Sequence, residues 1–299
     1  MHVWGVDLGG TKIEGAVLDP ASPKSPVARL RLPTDSAKGY DHILNQIAKV
    51  IMALEAESGS PRPSWIGIGT PGAIEPSTGK LKNSNTQCLN GMPLRDDLEK
   101  LLGTRIRCAN DANCFALAES TLGAARGEGV VVGLILGTGV GGGIVIGGHL
   151  IHGIHGIAGE WGHNPIRGEE TPCYCGRKGC VETVLAGPSL ERFFRHKSGR
   201  SLPLKEIAKL EGDPHATATL LRLQQKFGEA LAVLINILDP DAIVVGGGVG
   251  NLPLLYDEQT RKEILKHTFN AELKTKILKP ILGDSAGVFG AAMLTLESH

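Results

Sequence analysis

Three cysteines, Cys173, Cys175 and Cys180, fall within eight residues, and His163 stands ten residues before the first of them. A C-x-C-x4-C run with an upstream histidine offers three thiolates and an imidazole, a full tetrahedral donor set for a metal such as Zn2+. A disulfide is the poorer reading where thiols stay reduced. Free thiols are the plainer alternative, and Cys88, Cys108 and Cys114 read that way. Glu160 just upstream and Glu182 just beyond flank the cluster with carboxylates.

Glycine-rich turns carry a second kind of chemistry. In D-L-G-G-T-K (7–12), Asp7 brings a carboxylate, Thr11 a hydroxyl and Lys12 a cation to a turn made by Gly9 and Gly10. Backbone N–H groups exposed in such a turn form an anion nest, and the set suits a triphosphate with Mg2+. LGTGVGGG (136–143) and VVGGGVG (244–250) repeat the theme. Gly137, Gly139 and Gly142 formally fit the dinucleotide fingerprint, but that fingerprint needs a helix next, and the β-branched IVIGGHLI follows instead. No glycine loop ends in Gly-Lys-Ser or Gly-Lys-Thr, so a Walker loop is excluded as well. One such turn would read as a tight bend with an exposed lysine; three point to a nucleotide. Between a strand and a helix lies Asn110-Asp111. Both types cap helices, and the positive helix end is expected to keep a carboxylate there ionised. An ionised aspartate at a strand end could also take the proton of a substrate hydroxyl.

The elements that must hold these groups follow from periodicity. Strands are expected at 2–8, 12–19 and 27–33, a helix at 40–58, a buried strand at 65–72, a loop over 75–93, a strand at 105–109 and a helix at 111–122. A second strand–glycine turn–strand follows at 131–148, then helices between 181 and 238, a strand at 242–248, a helix at 252–268 and a last one at 287–296. Two glycine hairpins imply two related α/β halves without a low-complexity linker. Composition suits a globular chain of 299 residues, 41% hydrophobic and 21% charged. Thirty-one basic residues balance 31 acidic ones, which argues against a general nucleic-acid or membrane surface. The start MHVWGVDLGG lacks a basic stretch followed by an apolar run, so no signal peptide is expected and the cytoplasm is the expected compartment.

Taken together, DLGGTK (7–12), GTPG (69–72), NDANC (110–114), LGTGVGGG (136–143), GEWGH (159–163), CYCGRKGCVE (173–182) and VVGGGVG (244–250) resemble the ROK family of repressors, uncharacterised reading frames and sugar kinases. The motifs stand in order over nearly the whole chain. The resemblance implies an α/β, actin-like (ribonuclease H-like, duplicated) two-lobed ATPase fold with a central nucleotide and sugar cleft. It implies lobes of 1–115, with a C-terminal helix 286–299 packing back, and 116–285, carrying the zinc loop. It further implies ATP, Mg2+ and structural Zn2+ as cofactors, phosphorylation of a hexose at its 6-hydroxyl, and a homodimer. By position, Asp111 matches the catalytic base, and Gly72, Asn110, Glu160, His163 and Glu182 match residues of the sugar site. Asp7, Gly9, Gly10, Thr11 and Lys12 match the first phosphate loop, Gly137, Thr138 and Gly139 the second, and Gly246, Gly247 and Gly248 the adenosine segment. His163, Cys173, Cys175 and Cys180 match the zinc ligands. The loop KNSNTQCLNGMPL (82–94) looks most like the fructokinase (mannofructokinase) branch, with glucokinase, mannokinase and N-acetylglucosamine kinase as alternatives. A sugar-sensing repressor would need a helix-turn-helix ahead of the first phosphate motif, and only six residues precede Asp7.

Overall fold

The computed structural model describes residues 2–22 and 25–296. The chain starts with a hairpin of β1 (Val3–Leu8) and β2 (Lys12–Leu18), extended by β3 (Ala28–Pro33). β1 is apolar at almost every position and buried on both faces, as a central strand must be. Then come α1 (Tyr40–Ser58), β4 (Trp65–Thr70), the short pair β5 (Ala73–Ile74) and β6 (Leu81–Lys82), α2 (Leu94–Leu102), β7 (Arg105–Asn110) and α3 (Asp111–Thr121). The first sheet has the order β3-β2-β1-β4-β7, antiparallel from β3 to β1 and parallel from β1 to β7. α1 is amphipathic: Ile43, Ile47, Val50, Ile51 and Leu54 form its buried stripe.

The pattern then repeats with β8 (Val130–Leu136), β9 (Val140–Ile146) and β10 (His149–Leu150). A loop containing the cysteines leads to α4 (Val181–Leu185), α5 (Gly187–Ser198), α6 (Leu204–Ile207) and the long α7 (Pro214–Leu238). Asp213 caps α7 by accepting from the His215 and Ala216 N–H groups, and Pro214 fits its first turn. β11 (Ala242–Gly246), α8 (Gly247–Gly250), α9 (Glu258–Leu265), β12 (Lys276–Leu278) and α10 (Ala286–Met293) complete the chain. The second sheet runs β10-β9-β8-β11-β12, the same strand order as the first.

Two compact units result. Of the described residues, one takes those up to Gly127, Gly143–Ala158 and those from Ile281 on; the other takes Glu128–Gly142 and Gly159–Pro280. The expected boundary at 115/116 would cut α3 in half. Instead the whole helix stays with the first unit, because α10 packs against it as well as against β1 and β4. Residues 297–299 of the expected terminal helix lie outside the described residues, and α10 gives way to a 3-10 turn at Leu294. α2, β12 and the β5–β6 pair were not expected from periodicity; β6 lies inside the segment read as loop. The helix expected at 252–268 is split at Asp257, which caps α9 by accepting from the Thr260 N–H.

α10 comes so near its neighbours that only glycine fits. A Cβ on Gly67 would lie 1.7 Å from the Ala291 carbonyl oxygen, and one on Gly290 would lie 1.8 Å from that of Cys114. Gly290→Ala should therefore cost about 1–3 kcal/mol through overpacking. The measurement is the midpoint of chemical denaturation, and an unshifted midpoint would contradict so close an approach.

Candidate active site

In the first unit the motif residues gather at the carboxyl ends of three adjacent parallel strands. Asp7 of β1 pairs with Gly69 of β4, and Thr70 of β4 pairs with Asn110 of β7. The carboxyl edge of parallel strands is where open α/β sheets present their ligand sites. Gly9 and Gly10 turn the chain back, with the Gly9 N–H donating to the Lys12 carbonyl at 2.9 Å. Thr34, a buried residue that motif reading passed over, pins this turn from β3's side. Its hydroxyl donates to the Gly9 carbonyl at 2.7 Å and its N–H to that of Thr11 at 2.9 Å. Gly72 lies against the Lys82–Ser84 backbone, where a Cβ would meet the Lys82 carbonyl oxygen at 2.5 Å.

Asn110 and Asp111 divide their labour. The Asn110 carboxamide oxygen accepts from the Asn113 N–H at 2.7 Å, so Asn110 is the cap of α3. Asp111 accepts from the Ala112 N–H at 2.8 Å and also from its own N–H. Contrary to the helix-end argument, the Asp111 carboxyl is raised above the usual carboxylate range. Desolvation by the surrounding protein outweighs the stabilising N–H bonds. Asp7 is pushed up to about 6, by burial first, then by the charges of Asp111 and Glu14, against the opposing pull of Lys12. Asp7, Asp111 and Lys12 therefore form one electrostatic group.

A raised carboxyl has a stability consequence. The folded state holds the Asp7 proton more tightly than the unfolded chain does, so this group's favourable contribution is present below the ordinary value of 3.8 and is lost as pH rises through about 6. Asp7→Asn should raise the melting temperature at about pH 8, with the gap to the parent closing at about pH 4. Equal gaps at both values would mean that Asp7 is not strained by its charge.

In the second unit, β8 runs into Gly137-Thr138-Gly139 and out into β9. Glu182 of α4 reaches this turn: its carboxylate accepts from the Val140 N–H at 2.9 Å and lies where a Gly139 Cβ would stand. The Gly187 N–H donates to the Gly137 carbonyl at 2.8 Å. Beside the turn is a cavity of about 870 Å3, the right size for a nucleotide, lined by Gly137, Thr138, Pro188, Glu191, Lys205 and Gly248 among others. Gly246 ends β11, while Gly247 and Gly248 open α8, with Gly247 at φ 84° pressed onto the Leu136 backbone. Pro188, Glu191 and Lys205 escaped motif reading because they carry no glycine signature; the Gly187-Pro188 pair at the head of α5 was the available signal. A hollow of about 820 Å3 in the first unit, near Arg62, Glu99 and Arg105, holds none of the motif residues.

Packing brings the histidine and the three cysteines together. Trp161 is buried in the second unit's core and its indole N–H donates to the Ala230 carbonyl at 3.1 Å. This anchors Glu160 and His163 on either side of it. Gly142 and Gly162 let this segment lie on β9, where Cβ atoms would meet the Gly159 and Val140 carbonyl oxygens at 2.6 and 2.3 Å. His163 Nδ1 lies 3.6 Å from the Cys173 sulfur, the Cys175 and Cys180 sulfurs lie 3.6 Å apart, and all four donor atoms fall within 4.8 Å of one another. Tetrahedral zinc with Zn–S bonds of about 2.3 Å would hold its sulfurs about 3.8 Å apart, so the donor set fits that ion. Neither His149, His152 nor His155 joins the group. The other ring nitrogen of His163, Nε2, is 3.0 Å from the Tyr174 hydroxyl, with the two rings edge-on at 5.2 Å.

The ROK family matches residues 3–298. N-acetyl-D-glucosamine kinase of Photobacterium profundum is 38% identical over 98% of this chain and 99% of its own length. The enzyme of the same name from Vibrio cholerae is 35% identical with the same coverage. Among solved structures, the ROK hexokinase from Thermus thermophilus superposes with a TM-score of 0.88, at 35% identity over 98% of this chain and 97% of the other. A ROK family glucokinase from Streptomyces griseus, in complex with glucose and AMPPNP, gives 0.77 at 28% identity over 98% and 99%.

Proposed function

Since the chain belongs to the ROK family, with the actin-like ATPase fold of its kinases, and is an ATP-dependent hexose kinase, we propose that its acceptor is N-acetyl-D-glucosamine. The observation that carries this is the run of N-acetyl-D-glucosamine kinases from Photobacterium, Aliivibrio, Vibrio and Yersinia that are 35–38% identical over 98% of the chain. Fructose was the expectation from segment 82–94. The polar groups of that segment bond largely to one another. Ser84 and Asn90 exchange two hydrogen bonds, at 2.8 and 2.9 Å, and the Thr86 N–H donates to the Ser84 hydroxyl. Groups spent on holding a loop's shape are poor readers of a sugar.

The chemistry assigned to the site is in-line transfer of the γ-phosphoryl group of ATP to the sugar 6-hydroxyl. Asp111 orients that hydroxyl and takes its proton; its raised carboxyl makes it a stronger base near neutral pH. Asn110, Glu160 and Glu182 are assigned to the other sugar hydroxyls, His163 to one through Nε2 in exchange for its Tyr174 contact, and Gly72 to the backbone wall of the sugar site. The Gly9–Lys12 and Gly137–Gly139 turns offer N–H groups and a cation to the phosphates. Mg2+ arriving with ATP would neutralise the β- and γ-phosphate charge, and Asp7 is the carboxylate we assign to it. Zn2+ on His163, Cys173, Cys175 and Cys180 would be structural, because four protein ligands leave no open position. These reduced thiols and the ATP donor support a cytoplasmic setting.

A panel of N-acetylglucosamine, glucose, mannose and fructose, read by coupled ADP release, tests the proposal. N-acetylglucosamine should give the highest kcat/KM, at least about tenfold above fructose, since one unmet polar contact in a closed site costs a kcal/mol or more. Fructose ranking first would return the enzyme to the fructokinase branch.

A further inference from the structure

The phosphate-loop lysine is not alone. Lys12 Nζ lies 3.2 Å from the carboxylate of Glu14, two residues along β2 on the same face. Glu14 is 1% exposed. Two guanidinium groups of β3 grip it. Arg31 donates from Nε at 2.8 Å and from Nη2 at 3.1 Å, one to each oxygen, and Arg29 donates from Nε at 2.6 Å. Strand register places them there: Glu14 stands between Asp7 on β1 and Arg31 on β3, and Ala16, one same-face step further along β2, faces Arg29.

We infer that Glu14 is a positioning residue for phosphoryl transfer, holding the Lys12 ammonium at the phosphate loop while Arg29 and Arg31 absorb its own charge. The inference rests on the reading of Lys12 as a phosphate contact. A lone carboxylate beside Lys12 would cancel the charge that the phosphates need. Here Arg29 and Arg31 hold the same carboxylate, so Lys12 is not left to neutralise Glu14 by itself. Lysine's four-carbon stem is costly to immobilise, and an anchor two residues away on a strand edge meets that cost before nucleotide arrives. Burial tends to raise the Glu14 carboxyl. Hydrogen bonds from Arg31, Arg29 and Lys12 more than offset it, and the group is held below the usual range, ionised at working pH. Of the three partners only Lys12 belongs to a motif; Arg29 and Arg31 arrive from a strand outside it.

The test is a set of variants of the full chain, with KM measured separately for ATP and sugar. Glu14→Gln should raise the ATP KM about threefold to thirtyfold, the range set by freeing a lysine side chain. The sugar KM should stay within about twofold. In a Lys12→Met background the same change should add less than about twofold, because coupled residues fail to add. Glu14→Asp keeps the charge for both arginines but draws the carboxylate back from Lys12. It should raise the ATP KM with the melting temperature near that of the parent. A Lys12→Met enzyme with an unchanged ATP KM overturns the phosphate role of Lys12 and this inference with it. If Lys12→Met raises the ATP KM but Glu14→Gln and Glu14→Asp do not, or if the Glu14→Gln effect persists undiminished in the Lys12→Met background, the inference alone fails. Should Glu14→Gln not fold, the Glu14→Asp arm decides by itself.

Discussion

Asp111→Ala should lose at least about 100-fold in kcat and still bind ATP. General-base help is worth about 10²–10⁴-fold, and the rest of the acceleration in phosphoryl transfer comes from positioning and charge stabilisation, which this substitution leaves in place. The fold offers a clean experiment. Asn110, not Asp111, caps α3, so the helix start survives the change, and the carboxylate lost is exposed at its surface yet raised by the protein crowded around it. The folded protein should be at least as stable as the parent at neutral pH. Asp111→Asn should behave alike in kcat, since an amide can orient a hydroxyl but cannot take its proton. Nucleotide affinity by calorimetry, melting temperature and turnover together decide. Near-normal turnover removes Asp111 from the mechanism, while lost ATP binding would mean that the substitution had disturbed more than the base.

The second large effect belongs to the cysteine cluster. The purified protein should hold one zinc per chain, and Cys175→Ala should lose it, lower the melting temperature and raise the sugar KM about tenfold or more while leaving the ATP KM alone. Cys175 is the informative choice because it is exposed. An exposed cysteine that only fills space costs within about 0.5 kcal/mol when truncated, so a large stability loss marks a ligand. The Arg177 backbone N–H already holds its thiol below the ordinary value, while burial drives Cys180 up to about 12. The segment from Asn164 to Cys180 buries little of its own besides Ile166 and two of the cysteines. It is held by isolated bridges, Pro165 with Cys180 and Pro172 with Lys178. A metal at its centre would fix His163 directly, and with it Glu160 and Glu182 at the two ends of the same segment. Active protein free of zinc, or a variant that raises only the ATP KM, would sink this account.

Much of this molecule was legible because its signals are local. The β1 and β2 runs, the helix at 40–58 with its buried stripe and the glycine turns all lie where periodicity and turn chemistry put them. Short elements were less legible. α2 has nine residues, and β5 and β6 have two each, too few for a period to declare itself. Their existence depends on what they pack against. The segment that suggested fructose shows the same limit from the other side. Ser84, Thr86 and Asn90 look like reading groups in a string of letters, yet in three dimensions they hold one another.

By itself the sequence determined the chemistry available: a glycine turn with aspartate and lysine, a four-donor soft cluster, and an aspartate at a strand end. Donor types and turn geometry are properties of residues a few positions apart, and they survive in a linear reading. Tertiary structure alone decided how those groups are tuned and which strangers join them. Thr34 pins the Gly9-Gly10 turn from 25 residues away, Arg29 and Arg31 grip Glu14 across β3, and Pro188, Glu191 and Lys205 wall the nucleotide-sized cavity. Desolvation raises the Asp111 carboxyl where the helix end alone would have lowered it. Such effects depend on distance and on water excluded by packing, and both are set by contacts between residues far apart in the chain.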